Sequence, residues 1–463
     1  MFAPPVAGQT INFVTLLPAS KWKPSFKVDE VDRVIIWPEA RSGLNNPDSH
    51  GIVQKKISLR PLRLCGEQNP SFQISKVLQQ RLSAMPLQEY FGETHNLVRQ
   101  TVKKFVEKEI KPFVNDWEEQ GSFPRELYQK AGDAGILGIG YPEVYGGTEG
   151  DIFLKVAAVE EIVRCGSGGV AAGLGSLDIG LPPILRFGLE DLKKKLIPPI
   201  LRGEKICALA ITEPDAGSDV GGIKTRAVRE GNFYRVNGRK TFITSGGRAD
   251  VLTCAVRTGG PGPHGISLLA VESKTPGFAV SQVLKKMGWW ASDTAELVFE
   301  DCLVPAENLL GEENKGFYGV MANFQNERLQ LALMANTTAQ LAYEESVKYV
   351  KQREAFGRRL EGFQVIRHKL ADMATLLEAS REFTYRIAAK IDAGLNPIKE
   401  ISMAKNFSCQ VSDRLTYEAV QIHGGYGYMR EYLVERLYRD NRILSIGGGT
   451  QEIMKEIISK MIL

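Results

Sequence analysis

The chain has 463 residues, 43% hydrophobic and 24% charged, which are ordinary globular proportions and enough length for two or three packed cores, so disordered and collagen-like classes are excluded. Its 58 basic and 54 acidic residues are interleaved, and the formal charge of +4 leaves no basic stripe of the kind that follows a nucleic-acid backbone. The six cysteines (Cys65, Cys165, Cys207, Cys254, Cys302 and Cys409) form no CxxC pair, and no run approaches the roughly 18 apolar residues that span a bilayer; a chain without metal, disulfides, secretory signal or stable membrane insertion is expected.

Residues 1–84 mix Pro, Gly, charge and short apolar pieces such as Arg33-Val34-Ile35-Ile36-Trp37, with no sustained period. They read as an extension, poorly ordered or processed, that is dispensable for folding from Met85 onward. Next, Leu97, Val98, Val102, Phe105, Val106, Ile110 and Phe113 recur at three- and four-residue steps, the mark of one amphipathic helix face. Further helices are predicted over 126–134, 153–164 and 189–201. Between Ile206 and Pro305 the period shifts toward two, in segments 234–236, 251–256 and 266–271 separated by Asn-Gly and Gly-Gly turns. Helical period returns over 317–351, 361–393, 398–422 and 431–443. The domains implied are 85–205 (α-helical), 206–312 (β) and 313–463 (an α-helical bundle), an α+β fold in the order helices, strands, helices.

Two strand-to-loop segments concentrate hydroxyls and small residues: Thr212-Glu-Pro-Asp-Ala-Gly-Ser218-Asp219, and Lys240-Thr-Phe242-Ile-Thr244-Ser-Gly-Gly. Such loops offer backbone N–H groups, hydroxyls and an aromatic face to a flat polar ligand or a phosphate. A dinucleotide-type pattern, Gly166-Ser-Gly168-Gly-Val-Ala171, follows a helical run where a strand is required, which argues against a nicotinamide enzyme. His423, beside Gly424 and Gly425, reads as structural.

Together with Gly288-Trp-Trp-Ala-Ser-Asp-Thr-Ala-Glu, Arg353-Glu-Ala-Phe356-Gly, Gln421-Ile-His-Gly424-Gly425-Tyr-Gly and Gly449-Thr450-Gln-Glu-Ile, these segments resemble the acyl-CoA dehydrogenase family from about Met85 to Leu463. The resemblance implies a helical N-terminal domain, a middle β domain, a C-terminal four-helix bundle, and FAD lying between subunits of a homotetramer or homodimer. It also implies that Thr212 and Thr244 hydrogen-bond the flavin, Phe242 packs on it, and Ser218 lies near the pyrophosphate or the CoA thread. Arg353, Phe356, Gln421, Gly424, Gly425 and Thr450 match further cofactor positions. Acyl-CoA is the implied substrate and an electron-transfer flavoprotein the implied acceptor, in bacterial cytoplasm or the mitochondrial matrix.

One departure narrows the subgroup. Most relatives carry the catalytic glutamate in a Tyr-Glu-Gly-Thr stretch, where this chain has Gly448. Long-chain and isovaleryl-CoA dehydrogenases place theirs before Arg-Leu in the first bundle helix, and the matching segment here is Phe324-Gln-Asn-Glu327-Arg328-Leu329. By resemblance Glu327 is the base, with Phe324, Arg328 and Gly448 beside the substrate and the Gly448 N–H donating to the thioester carbonyl. A carboxylate for this task needs its pKa raised from about 4.3 by desolvation. The competing readings are an acyl-CoA oxidase that passes electrons to oxygen and a DNA-binding flavoprotein relative.

Overall fold

The computed structural model describes residues 90–463; the extension over 1–84 and Cys65 lie outside the described residues. Seven helices come first: α1 (Glu93–Phe105), α2 (Val114–Gln120), α3 (Glu126–Asp133), α4 (Ile152–Val163), α5 (Gly168–Leu174), α6 (Leu177–Phe187) and α7 (Glu190–Leu201). Asp151 starts α4 by accepting from Phe153 N at 2.9 Å and Leu154 N at 3.2 Å, which satisfies two of the amides that a helix N-terminus leaves unpaired. The predicted apolar stripe is interrupted. Val102, Phe105, Val106 and Ile110 are buried, but Leu97 and Phe113 are exposed. A π-helical turn over Val106–Ile110 accounts for Phe113, because its extra residue per turn rotates the register and carries that residue off the buried face; Leu97 lies before this turn, in regular helix.

Seven strands follow: β1 (Cys207–Ala210), β2 (Arg226–Glu230), β3 (Phe233–Thr244), β4 (Val251–Arg257), β5 (Ile266–Glu272), β6 (Phe278–Val283) and β7 (Thr294–Pro305). They form one sheet of order β1-β4-β2-β3-β7-β6, with β5 also paired to β4. The long antiparallel β3–β7 ladder is broken twice, between Val236 and Gly238 and between Lys240 and Ile243. The first break corrects the turn expected at Asn237-Gly238. These residues lie inside β3 at a bulge, and the chain reverses instead at Gly231-Asn232. Gly238 has φ 151°, and a Cβ there would sit 2.6 Å from Thr225 Cα.

The C-terminal domain contains α8 (Gly316–Gln352), α9 (Gln364–Asp392), α10 (Ile398–His423), α11 (Leu433–Asn441) and α12 (Gln451–Ile462). α10 packs against all four others. α12 is an addition to the four predicted segments, and Thr450 caps it by accepting from Ile453 N at 3.3 Å. A small hairpin, Glu354–Ala355 with Arg358–Arg359, joins α8 to α9. The five described cysteines are free and buried, and no group of three or more potential metal ligands occurs among the described residues.

The stretch Gly168–Phe187 is long and apolar enough to cross a membrane, contrary to the reading that no run approaches that length. It is two core helices in sequence, interrupted at Gly175-Ser176, with 61% of its apolar window buried inside the protein.

Close helix packing yields a stability test. Gly132 lies inside α3, where alanine is ordinarily better by about 1 kcal/mol. Its Cβ would stand 2.3 Å from the Arg202 carbonyl carbon and oxygen, so overpacking should prevail. Gly132→Ala is expected to lose about 1–3 kcal/mol in chemical denaturation; a gain in stability would show that the two backbones are not in contact.

Candidate active site

Glu327 lies on α8, about three turns from its start. Its Oε2 is inaccessible and has no hydrogen-bond partner among the described residues. Burial pushes the carboxyl up to about 7, against the opposing pull of Arg328 and Lys405. Neither cation bonds it. Arg328 Nε donates to the Gly448 carbonyl at 3.2 Å, and Lys405 Nζ donates to the Gly449 carbonyl at 2.6 Å. Both side chains are buried, which lowers their own pKa values.

The Gly448 segment faces this carboxylate directly. A Cβ built on Gly448 would come 3.5 Å from Glu327 Oε1, and would collide with Leu331 Cδ1 at 2.6 Å. The two positions that could carry a base therefore converge on one volume. Gly448 has φ 63° and Gly449 φ 98°, the region glycine enters without steric penalty. Among the described residues no acceptor takes the Gly448 N–H, so it is available to a ligand. Phe324 stands one turn before Arg328, whose guanidinium carbon is 5.8 Å from its ring centre.

The two loops rich in hydroxyl groups meet at the end of β3. Thr241 N donates to the Thr212 carbonyl at 2.9 Å. Beneath this contact Lys240, fully buried, donates to Glu213 Oε1 at 2.8 Å and to the Ile211 carbonyl at 2.9 Å. Glu213 also accepts from Lys224 N and Thr225 N, at 2.5 and 2.9 Å. Burial opposes ionisation of Glu213, yet Lys240 and these amides hold it below the ordinary glutamate value. Phe242 follows at the second bulge, with φ 59° and 68% exposure. A bulky residue in that conformation is a strained outlier, and strain of this kind collects at ligand sites. Thr244 is half-buried beside it, and Ser218 is exposed on the Thr212 loop.

A third group gathers at the far end of α8 and α10. A cavity of about 430 Å³ is lined by Tyr349, Arg353, His423, Gly424, Gly425 and Tyr426. His423 is buried there, bonded through Nδ1 to the Ala419 carbonyl and stacked on Tyr349 at 4.1 Å, consistent with a structural part. Gln421 is exposed at the end of α10, and Phe356, with φ 52°, is 96% exposed at the tip of the small hairpin. No hydrogen bond or ion pair among the described residues links this group to the Thr212 and Phe242 loops. Thr450 lies apart from it as the cap of α12.

Sequence reasoning missed Glu213, Lys240 and Lys405. Glu213 and Lys240 belong to noticed motifs but pair across 27 positions, and a lone lysine in a helix reads as a solvated charge.

A helical domain, a strongly bulged β domain and a helical bundle together frame a buried carboxylate that faces a glycine turn. The family description "Acyl-CoA dehydrogenase, C-terminal domain" matches residues 314–463, the corresponding N-terminal description 92–204 and the middle-domain description 208–302. An acyl-CoA dehydrogenase of Bacillus subtilis is 43% identical over 373 residues, covering 79% of this chain and 97% of that protein. A solved probable acyl-CoA dehydrogenase from Mycobacterium abscessus superimposes with TM-score 0.80 at 48% identity, over 81% of this chain and all of the other. A Bacillus anthracis acyl-CoA dehydrogenase complexed with FAD gives TM-score 0.76 at 35% identity, over 81% of this chain and 67% of that one. This chain belongs to the acyl-CoA dehydrogenase family, whose members are FAD-dependent oxidoreductases.

The buried ion pair under the loops is open to measurement. Glu213→Gln leaves the Lys240 ammonium buried without its counter-ion and should cost about 3–5 kcal/mol of stability, whereas Glu213→Leu combined with Lys240→Met should cost clearly less. Equal losses in the single and double variants, by urea denaturation, would show that the pair is not a buried, coupled unit.

Proposed function

We propose that the protein oxidises the Cα–Cβ bond of an acyl-CoA thioester to the trans-2-enoyl-CoA, with Glu327 removing the α-proton. The observation that carries this reading is the unpartnered, inaccessible Glu327 oxygen opposite Gly448. An ordinary glutamate is too weak a base for a thioester α-proton, and desolvation to about 7 closes part of that gap. The free N–H of Gly448 donates to the thioester carbonyl and stabilises the charge that grows on its oxygen as the proton leaves. Arg328 and Lys405 hold the glycine turn by its carbonyls, which keeps that N–H aimed and leaves the carboxylate unpaired. Phe324 and Arg328 flank the acyl group.

The residues fit an FAD. Phe242 presents an exposed aromatic face, Thr212 and Thr244 supply hydroxyls, and Ser218 lies on the same loop. Arg353, Phe356, Gln421, Gly424 and Gly425 make up the share given to a neighbouring copy, where Gly424 and Gly425 leave open space that a Cβ would fill, and the Thr450 hydroxyl is a further cofactor contact. When bound, FAD takes the β-hydrogen with two electrons. The separation of the two groups within one chain supports a homotetramer or homodimer, and an electron-transfer flavoprotein as acceptor follows from the family.

The test is Glu327→Gln, which keeps the shape and removes the proton acceptor. FAD and acyl-CoA binding should be retained while bleaching of the flavin by acyl-CoA slows at least about a hundredfold; near-normal bleaching would place the base elsewhere. A base works only when ionised, so the wild-type reduction rate should rise with pH through about 7, following the raised Glu327 carboxyl. Stopped-flow reduction across pH 5.5–9, a range of roughly 1.5 units or more on either side, should show this rise in the wild type and its loss in Glu327→Gln.

A further inference from the structure

Three chain segments from three domains interlock behind the Glu327 pocket, and none of their residues has a role in the chemistry above. They are Gly166–Gly169 before and within α5, Gly288–Ser292 between β6 and β7, and Arg439–Asn441 at the end of α11. Asp440, 4% exposed, is their common acceptor. Its Oδ1 receives Trp289 N at 2.6 Å and its Oδ2 receives Gly168 N at 3.0 Å. Arg439 Nη1 reaches Asp440 Oδ1 at 3.3 Å, and Arg439 Nη2 donates to buried Glu118 Oε2 at 3.1 Å. Its guanidinium lies 3.7 Å from the ring centre of Trp290. Glu118 Oε1 in turn accepts from Ser167 Oγ at 2.6 Å. There is no spare room: a Cβ on Gly168 would stand 2.2 Å from Trp289 Nε1, and one on Gly288 would stand 2.6 Å from the Arg439 carbonyl.

What this junction holds is unusual. Trp289 has φ 55°, a conformation that a bulky L-residue adopts rarely and keeps only where its surroundings impose it. The Trp289 side chain packs against the cluster of Leu331, Ala335, Cys409 and Leu444. Leu331 follows Glu327 by four residues on α8, so both project from one helix face, and its Cδ1 is the atom that a Gly448 Cβ would strike. Leu444 belongs to the turn that leads from Asp440 to Gly448, and its carbonyl accepts from Cys409 Sγ at 3.2 Å. The line of contact therefore runs from Asp440 through strained Trp289 to the cluster whose member Leu331 walls the space between Glu327 and Gly448.

We propose that Asp440 is a positioning residue for proton abstraction: by fixing Trp289 in its left-handed conformation against Leu331, it keeps the wall of the Glu327 pocket closed to water. The inference rests on Glu327 being the base. The charged groups facing that carboxylate are Arg328 on its own helix and Lys405 on α10, with Glu452 of α12 beyond Lys405; none belongs to the junction. The junction therefore acts on the base through packing and exclusion of water.

The experiment is single-turnover reduction of the FAD-loaded enzyme by acyl-CoA as a function of pH. In Asp440→Asn the single amide oxygen can accept from only one of Trp289 N and Gly168 N and the other meets an NH₂ group, so the junction around Trp289 loosens and water enters. The midpoint assigned to the base should fall by about one unit or more toward the ordinary carboxylate value, with FAD content unchanged. Burial and Glu118 also push the Asp440 carboxyl up, to about 7, so the midpoint is assigned to Glu327 by its loss in Glu327→Gln. Leu331→Ala and Trp289→Gly, which leave Asp440 in place, should displace it in the same direction and decide the matter if Asp440→Asn does not fold. Slower reduction with an unmoved midpoint in these variants overturns the positioning role and leaves the proposed function standing. A wild-type midpoint that persists in Glu327→Gln removes both.

Discussion

Two cations come near the Glu327 carboxylate, and both donate to something else. Arg328 bonds the Gly448 carbonyl and Lys405 the Gly449 carbonyl, while a carboxylate oxygen stays buried and unpaired. An isolated ionised carboxylate is disfavoured in a dry environment, and a direct ion pair would relieve that by pulling its pKa down. Here the cations are close enough to moderate the effect of burial without cancelling it, and the carboxyl settles at about 7. The same two bonds fix the glycine turn that faces the carboxylate. The carboxyl's pKa and the position of the glycine turn are thus set by one arrangement of donors; under the proposed mechanism these are base strength and electrophile position.

Glu213 shows the opposite outcome from similar ingredients. It too is buried beside a lysine, but Lys240 donates to it directly and two backbone amides complete its shell. Its pKa is held down, and it has no proton to exchange near neutral pH. What it supplies is mechanical. The pair ties the Thr212 loop to the end of β3 just where the second bulge forces Phe242 to positive φ. A buried pair is a weak source of net stability, so its value lies in fixing the register between the two loops to which the proposed function gives one ligand.

The order helices, strands, helices was legible because period is a local property: α4, α7, α8 and α10 begin and end within two residues of the predicted limits. Local pattern failed where a neighbour decides. Asn237-Gly238 carries a strong turn signal, but β7 pairs on either side of it, and the glycine serves a bulge pressed against Thr225. Phe113 fits the apolar stripe by spacing, and a π-helical turn that no local signal announces set its face. At the site, Glu327 was legible only through likeness to a family, since a glutamate before arginine on a helix is ordinarily solvated. The partners that make it distinctive, Lys405 and the Gly448 turn, lie 78 and 121 positions away in sequence, and their convergence is a product of α10 packing along α8.

That convergence also explains why one pocket does not hold both candidate bases. A side chain at 448 would have to leave the left-handed region that the turn requires, displace Leu331, and approach the Glu327 oxygen. Two carboxylates so close would not both ionise near neutral pH, because each raises the other's pKa. With the base on α8, its backbone is fixed by helix hydrogen bonds and by packing against α6, α10 and α11, a more rigid support than a turn. The turn is then free to be glycine, to bend sharply, and to offer its N–H at short range. In the proposed mechanism, placing the carboxylate on the helix and the amide on the turn gives proton abstraction and carbonyl polarisation separate backbones, while Arg328 and Lys405 couple the two.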